Sequence, residues 1–384
     1  MRIAFFVERP TQFEVPFYRF AARDPEHRLR VAYTGADPGA PVYDPELSRK
    51  ISWGFDLLEG YDWGAVPAQG AGRWLARELA PGSYDLVIVN GYTQRTYLRT
   101  VLRARRSGLA TGLRLDSVAF SGATARGRET AKRLLFRTAI SRLYDLFFGV
   151  GSLSLDHLRS LGIAEERLAL FPYAIDVESF RARSRLSPGE RSAVRARHGI
   201  PEGARAVLSL AKFGPREAPW DLLHAFPRLT AADPGAVLVL AGDGPERGAL
   251  KAEALRLGVS EKVAFPGYVP YPELPALYAA ADLFVHPAAE ERWGVSVQEA
   301  LACGLPVIAS ERVGAGYDLI APGRNGFRYA AGNVEDLGRR LAEALALPQA
   351  EIDAASAEIL ARWDYAATWR HLLAAVDRLG SEDS

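Results

Sequence analysis

The chain has 384 residues, 48% hydrophobic and 24% charged, with a formal net charge of +1. That length accommodates two domains with separate cores, and the charge balance excludes a global nucleic-acid-binding surface. The one cysteine, Cys303, excludes an intramolecular disulfide and a cysteine-based zinc site.

In Ala-Cys-Gly, Cys303 reads as a small packing residue rather than a nucleophile. Of the 47 basic residues five are lysine, a skew that fits a high-GC or thermophilic source and is silent on function. The run from Met1 to Glu8 is too short for a signal peptide. No stretch approaches the roughly 20 apolar residues that span a bilayer, so the expected location is cytoplasmic.

Short apolar runs predict strands at Arg2–Glu8, Leu29–Thr34, Asp85–Asn90, Leu113–Asp116, Leu146–Val150 and Leu168–Pro172. Amphipathic helices are expected near Phe13–Ala22, Trp74–Leu79 and Tyr97–Arg106. Strands alternating with helices argue a doubly wound parallel sheet. Gly39–Val66, with scattered Pro, Tyr and Trp, reads as an irregular loop, and loops that long are usually functional. Between Arg95 and Arg142 stand 12 basic residues against two acids. The helix expected over Gly127–Tyr144 mixes Arg128, Lys132, Arg133 and Arg137 with Leu134, Leu135, Phe136 and Ile140. Such a helix is either a solvated face packed on the sheet, the better reading, or a contact with an anionic membrane through Arg128, Lys132 and Arg133.

Glu178–Arg205, polar and charged with Pro188 and Pro201, reads as the domain boundary. A second α/β series then starts. Its strands are Ala206–Ala211, Ala236–Ala241, Val263–Phe265, Leu283–His286 and Val307–Ala309. Its helices fall near Asp221–Thr230, Arg247–Leu257, Glu273–Ala280 and Val334–Leu347. Two last helices, Ile352–Trp363 and Ala366–Leu379, are amphipathic, with Trp363 and Trp369 serving packing. The expected domains are residues 1–182, with helix 365–384 packing back on them, and residues 183–364.

The densest motif runs from Glu290 to Ser310. A loop with the turn Arg292-Trp293-Gly294 leads into a helix from about Ser296, its expected N-cap, to Cys303. Gly304 is the expected C-cap, and Pro306 precedes a new strand. A carboxylate suits vicinal sugar hydroxyls, and the free N–H groups of Gly294, Val295 and Ser296 suit phosphate or sugar oxygens. On Glu291 and Glu299 alone, a solvated loop is the better reading.

The whole run, however, resembles the signature of the family 4 retaining glycosyltransferases of the GT-B fold. In that signature two glutamates with seven residues between them enclose an aromatic-Gly-aliphatic turn, followed by E-A-x-A-C-G-x-P-V-I-A-S. Glu291, Trp293, Gly294, Val295, Glu299, Cys303, Gly304, Pro306 and Ser310 all fall in place. The resemblance covers most of residues 145–370 and implies two Rossmann-like parallel-sheet domains facing a cleft, the last helix crossing back to the first domain. It implies transfer of a hexosyl unit from a nucleoside diphosphate sugar, UDP before GDP, to a hydroxyl of a glycan, lipid-linked or small-molecule acceptor. Retention and the absence of a metal or other cofactor come with it; no D-x-D pair stands at a strand end.

Site roles follow from the same resemblance. Glu299 holds the ribose hydroxyls, Glu291 the donor sugar, and the amides of Gly294, Val295 and Ser296 meet sugar and phosphate. The stretch Ser209–Leu223 resembles G-R-x-x-P-E-K-G, whose Arg and Lys grip the diphosphate. Lys212 takes the Arg position, but Glu217 stands at the Lys position, with Arg216 just before it. Either Arg216 takes over that grip or the grip is weakened; Arg216 is the favoured reading. Gly242 lies in the family's G-D-G-P, where Asp243 reads as a turn former. Tyr268 and Val269 lie in F-x-G-x-V, which edges the base; Tyr268 either stacks on the base or packs. Gly314–Ile320 and Asn325-Gly326-Phe327 fit a loop and the final strand.

The N-terminal half departs most from the pattern. Thr11 and Gln12 take the place of a Gly-Gly loop after the first strand, Thr11 as a cap of the following helix and Gln12 facing the cleft. Asp116, at the end of a strand, is the candidate beside the anomeric carbon; alternatively it pairs with Arg114 or caps the next helix. Two other classes stay open. One is a different GT-B reaction, such as a sugar phosphorylase or epimerase. The other is a non-catalytic protein that binds nucleotide sugar or membrane, which Glu217 in place of lysine favours.

Overall fold

The structure, a computed structural model, describes residues 1–35, 37–40, 42–44, 49–51, 55–118 and 126–381. The chain divides into two compact units. The first comprises residues 1–40, 56–175 and 363–384, the second residues 41–55 and 176–362.

The first unit is built on a seven-stranded sheet of β1 (Arg2–Val7), β2 (Arg28–Tyr33), β5 (Asp62–Ala65), β6 (Leu86–Asn90), β7 (Ala110–Leu115), β8 (Leu146–Gly149) and β9 (Leu168–Leu170). Its spatial order is β5-β2-β1-β6-β7-β8-β9, and every pairing is parallel. Ile3 to Val7 are all buried, which is why β1 reads as an unbroken apolar run: a parallel strand covered on both faces has no polar side. One core gathers Phe6, Val87, Val89, Leu113 and Phe147 from the sheet with Val101, Phe136 and Leu158 from its helices.

Two departures from expectation lie in this unit. Strand β5 falls inside the stretch expected to be irregular. It is a four-residue edge strand with no buried position, so it lacks the apolar run that marks the others. Upstream, β3 (Val42–Asp44) and β4 (Arg49–Ile51), which belong to the second unit, pair as an antiparallel hairpin. The expected basic helix is α-helical over Arg126–Leu135, widens to a π turn over Phe136–Ile140, and ends at Leu143. Its Lys132 is half-buried and donates to His157 Nε2 at 2.7 Å, so it is not part of a solvent-facing basic row. The side chain of Arg128 lies outside the described residues.

The closing helix, Tyr365–Ser381, packs on the first helix, Val15–Ala21. Phe17 meets the rings of Tyr365 and Trp369 with centroids 5.9 and 6.2 Å apart. The Trp369 indole donates to Asp24 Oδ2 at 2.7 Å.

The second unit holds six parallel strands: β10 (Arg205–Lys212), β11 (Ala236–Asp243), β12 (Val263–Gly267), β13 (Leu283–His286), β14 (Val307–Ser310) and β15 (Gly326–Tyr329). Their order is β12-β11-β10-β13-β14-β15, the doubly wound 3-2-1-4-5-6 arrangement, which reverses direction between its first and fourth strands. Those are β10 and β13. The core joins Val207, Leu238, Leu240, Leu283, Val285 and Ile308 of the sheet to Leu222, Phe226 and Leu341 of its helices.

The stretch expected as a linker is helical, over Val177–Ser184 and Pro188–Arg197. The Asp176 carboxylate accepts the Ser179 N–H, and Ser187 and Glu190 form a reciprocal capping box with Pro188 in the first turn. Proline at that position starts a helix rather than breaking one.

Candidate active site

In an open parallel sheet, ligands gather beyond the carboxyl ends of the strands where the winding reverses. In the second unit that place lies between β10 and β13. The loops after these strands are fastened to each other, since the Ala289 N–H donates to the Arg216 carbonyl at 2.8 Å. A third loop, after β14, is fastened to both backbone groups of Glu291. The Glu291 N–H donates to Arg312 O at 2.8 Å, and its carbonyl accepts the Gly314 N–H at 3.0 Å. Three strand ends thus hold one rigid shelf.

Glu291 stands on that shelf, its side chain 22% exposed. Arg216 reaches across with Nη1 3.6 Å from Glu291 Oε2 and Nη2 2.8 Å from Glu217 Oε1. Glu217 is buried. Burial pushes its carboxyl up; His286, Arg216 and Lys212 pull it down, and the charge of Glu291 pushes it further up. The expected cation pair, Lys212 at the end of β10 and Arg216 beyond it, is therefore gathered around Glu217 together with Glu291. Next to Glu217, Ala218 turns at φ 44°, the one non-glycine with a left-handed backbone among the described residues. That conformation is uncommon for a residue with a Cβ.

The helix after the shelf runs over Val295–Ala302. Its N-cap is Gly294, at φ 95°, and not Ser296, which lies in the first turn. A side chain at residue 294 would be strained in this conformation, and its Cβ would approach Val313 Cγ1 to 2.8 Å. The first amides of the helix have no carbonyl partner one turn back within it. The C-cap is Cys303, and Gly304, the expected cap, follows it at φ 80°, the left-handed residue that stops the helix.

Trp293 is 2% exposed, its indole packed inside the unit. Glu299 is also buried and accepts a hydrogen bond from the Tyr278 hydroxyl at 2.9 Å. Burial pushes the Glu299 carboxyl up to about 7, against the pull of that bond. Cys303 is half-buried, and burial pushes its thiol up, which suits packing and not nucleophilic attack. Gly242, at φ 135°, leaves no room for a Cβ, which would come within 1.8 Å of the Ala211 carbonyl oxygen. Asp243 accepts the Gly244 N–H at 3.0 Å and approaches Arg247 at 3.4 Å, so it serves the turn as expected. Tyr268 is half-buried and Val269 buried, just past β12.

The first unit carries the other expected residues. The N-cap of the first helix is Glu14 and not Thr11, whose Oγ1 accepts the Glu14 N–H at 3.3 Å in the turn before it, with Gln12 half-buried there. Arg114 is 2% exposed and donates to Glu14 Oε1 at 2.6 Å, Phe171 O at 2.9 Å and Pro172 O at 3.0 Å. The rings of Phe171 and Tyr173 each lie 4.3 Å from its Cζ. Asp116 follows β7 and acts electrostatically on the buried Tyr173 hydroxyl. Burial is the main cause of that hydroxyl's upward shift; Arg114 lowers it and Asp116 adds to it.

The sequence reading missed three contributors: Tyr278, His286 and the Arg114–Glu14 pair. Of these only His286 had a local signal, as the last residue of a buried strand at the carboxyl end of the sheet.

Residues 190–367 match the family model of glycosyl transferases group 1. That match spans most of the second unit, and this part of the chain is similar to that family. Within the group 1 match fall Lys212, Arg216, Glu217, His286, Glu291 and the helix Val295–Ala302. A D-inositol 3-phosphate glycosyltransferase of Mycolicibacterium smegmatis is 32% identical over 201 residues, 51% of this chain and 45% of that one. The D-inositol 3-phosphate glycosyltransferase 1 of Catenulispora acidiphila is 30% identical over 264 residues, 65% of this chain and 61% of that one. The chain thus spans between 45% and 61% of the length of these two curated relatives. Among solved structures, Anabaena Alr3699/HepE in complex with UDP superposes with a TM-score of 0.75 at 19% identity, covering 98% of this chain and 100% of that one. That likeness carries the fold, GT-B with two Rossmann-like units.

Proposed function

We propose that this chain is a retaining glycosyltransferase that moves a hexosyl unit from a nucleoside diphosphate sugar to an acceptor hydroxyl. The observation that carries the proposal is the group gathered at the reversal point of the second sheet. Cations Lys212 and Arg216 and the carboxylate of Glu291 gather around Glu217 at the ends of β10 and β13, and the helix that follows Glu291 opens at Gly294. A diphosphate leaving group needs positive charge and N–H donors where its own charge grows; a sugar needs carboxylate acceptors for its hydroxyls. In this reading Lys212 and Arg216 neutralise the diphosphate, and the amides of Gly294, Val295 and Ser296 meet phosphate and sugar oxygens. Glu291 orients the donor sugar. Glu299, fixed by Tyr278, holds the ribose, and Gly242, Tyr268 and Val269 edge the base. Retention follows from front-face attack, with the leaving phosphate taking the acceptor proton.

The first unit supplies acceptor recognition in this proposal, with Thr11, Gln12 and Asp116 as its candidates, in a cytoplasmic setting. Metal-free transfer, expected from the resemblance, is the baseline for the experiment. Thermal shift with UDP, GDP and ADP and their glucose and mannose conjugates, in EDTA, tests the reading. A ligand at 100 times its dissociation constant adds about 2.7 kcal/mol. One nucleotide series stabilising the chain, weakened by Glu299→Ala, and sugar transfer impaired by Glu291→Ala, are the expected results. If both variants keep full transfer, the site assignment is wrong. If no nucleotide shifts the chain, with or without a divalent metal, the non-catalytic reading favoured by Glu217 takes its place.

A peripheral contact with anionic membrane is the smaller part of the proposal. It is supported by Leu134 and Leu135, 64% and 44% exposed beside the exposed Arg133. Among the described residues no helix is long and apolar enough to cross a membrane. Binding to anionic vesicles at low salt, lost in Arg133→Glu with Leu134→Ser, is expected; no binding at low salt removes the idea.

A further inference from the structure

We propose that Glu217, His286 and Glu291 form a divalent-cation site at the carboxyl ends of β10 and β13, and that the cation bound there bridges the protein to the donor diphosphate. The bridging role rests on the function proposed above; the site itself does not.

The three side chains offer two carboxylate oxygens and an imidazole nitrogen, all within 4.8 Å of one another. Ligand atoms sharing one ion at bonds of about 2.1 Å lie roughly 3 to 4 Å apart, so small side-chain rotations complete the set. The second observation is independent of the carboxylates. His286 is 5% exposed, and neither of its ring nitrogens has a hydrogen-bond partner among the described residues. A buried polar atom without a partner is costly and rare. A ring so placed, with a nitrogen among two carboxylates, has the environment of a metal ligand.

Charge argues the same way. Glu217 and Glu291 stand together where an anionic diphosphate is to bind, and two carboxylates repel it. Arg216 now bridges both carboxylates, at 2.8 and 3.6 Å. Its side chain is 48% exposed, so it can turn from the carboxylates toward the diphosphate when an ion enters. A mixed oxygen–nitrogen set with open positions suits a first-row divalent ion such as Mn²⁺, which also accepts phosphate oxygens. Calcium, an all-oxygen ion, is disfavoured by the imidazole. This site departs from the metal-free expectation.

The test uses Mn²⁺ as the probe on the full chain, first without nucleotide. Loss of the free-ion paramagnetic resonance signal measures binding, and nitrogen modulation of the bound signal reports the imidazole. One Mn²⁺ per chain is expected, with nitrogen modulation. The near-isosteric Glu217→Gln should weaken binding at least about tenfold, and His286→Gln should abolish the modulation. Circular dichroism of both variants confirms that they fold. Absence of saturable binding, or binding unchanged in both folded variants, overturns the site. A nucleotide that stabilises the chain equally in EDTA and in Mn²⁺ overturns the bridging role while leaving the transferase reading standing. A nucleotide shift larger in Mn²⁺, with the difference lost in Glu217→Gln, supports both.

Discussion

Glu299 shows how one buried carboxyl turns into a property of the chain. Burial holds it near 7 in the folded state, well above the ordinary value of 4.5. The folded state therefore binds a proton more tightly than the unfolded one. Between these two values the native chain carries more protons, so stability falls as pH rises. The cost is fully present above pH 7 and absent below 4.5, on the order of 3 kcal/mol. Glu299→Gln keeps the shape and the acceptor for Tyr278 but removes the titration. Chemical denaturation of the nucleotide-free chain at pH 5 and pH 8 should show wild type weaker at pH 8 and the variant losing distinctly less, the raised Glu217 carboxyl remaining in both. Equal losses in both would place the titration elsewhere. The same residue marks a limit of sequence reading. Its identity and position on the helix were legible from the spacing of the two glutamates, but its burial under Tyr278, 21 residues away, was not. Glu217 is similar: the missing lysine was visible in the sequence, whereas its gathering with His286 and Glu291 depends on which strands lie side by side.

Elements follow the same division. Buried parallel strands announce themselves as apolar runs, and each such run from Arg2 to Ala309 was found within a few residues of its place. The strand β5 was not, because an edge strand of four half-exposed residues has no such run. The helix Pro188–Arg197 was hidden for a different reason, since a proline and a cluster of charges look alike in a linker and in a capped helix start. The last helix and the packing of its Trp369 were legible, but the indole's bond to Asp24 was not. The bond from Trp369, together with those from His27 and nearby amides, holds the Asp24 carboxyl at about 2. A carboxyl with a depressed folded pKa contributes stability that is complete above its unfolded value, near 3.8, and lost as pH falls through the folded one. Asp24→Asn should lower the melting temperature at pH 6 and flatten its decline between about pH 4 and pH 2. A decline as steep as that of wild type would show that other carboxylates set the acid limit.

At the scale of the whole molecule, the chain builds two parallel sheets from the same winding and gives each its own core. The candidate donor residues, from Lys212 to Glu299, all belong to the second unit, and Thr11, Gln12 and Asp116 belong to the first. Two closed cores in one chain are a known source of unfolding that departs from a single step. A ligand stabilises only the structure that must be folded to bind it. Calorimetry should therefore resolve a transition that rises with the binding nucleotide and one that does not. Leu222→Ala empties a fully buried position in the second core, and Leu158→Ala does so in the first; each should cost about 2 to 5 kcal/mol. Leu222→Ala is expected to lower the nucleotide-responsive transition and Leu158→Ala the other. A single transition that both variants lower equally, and that nucleotide raises as a whole, would mean that the two cores stand or fall together. Nucleotide binding would then stabilise the first unit as much as the second.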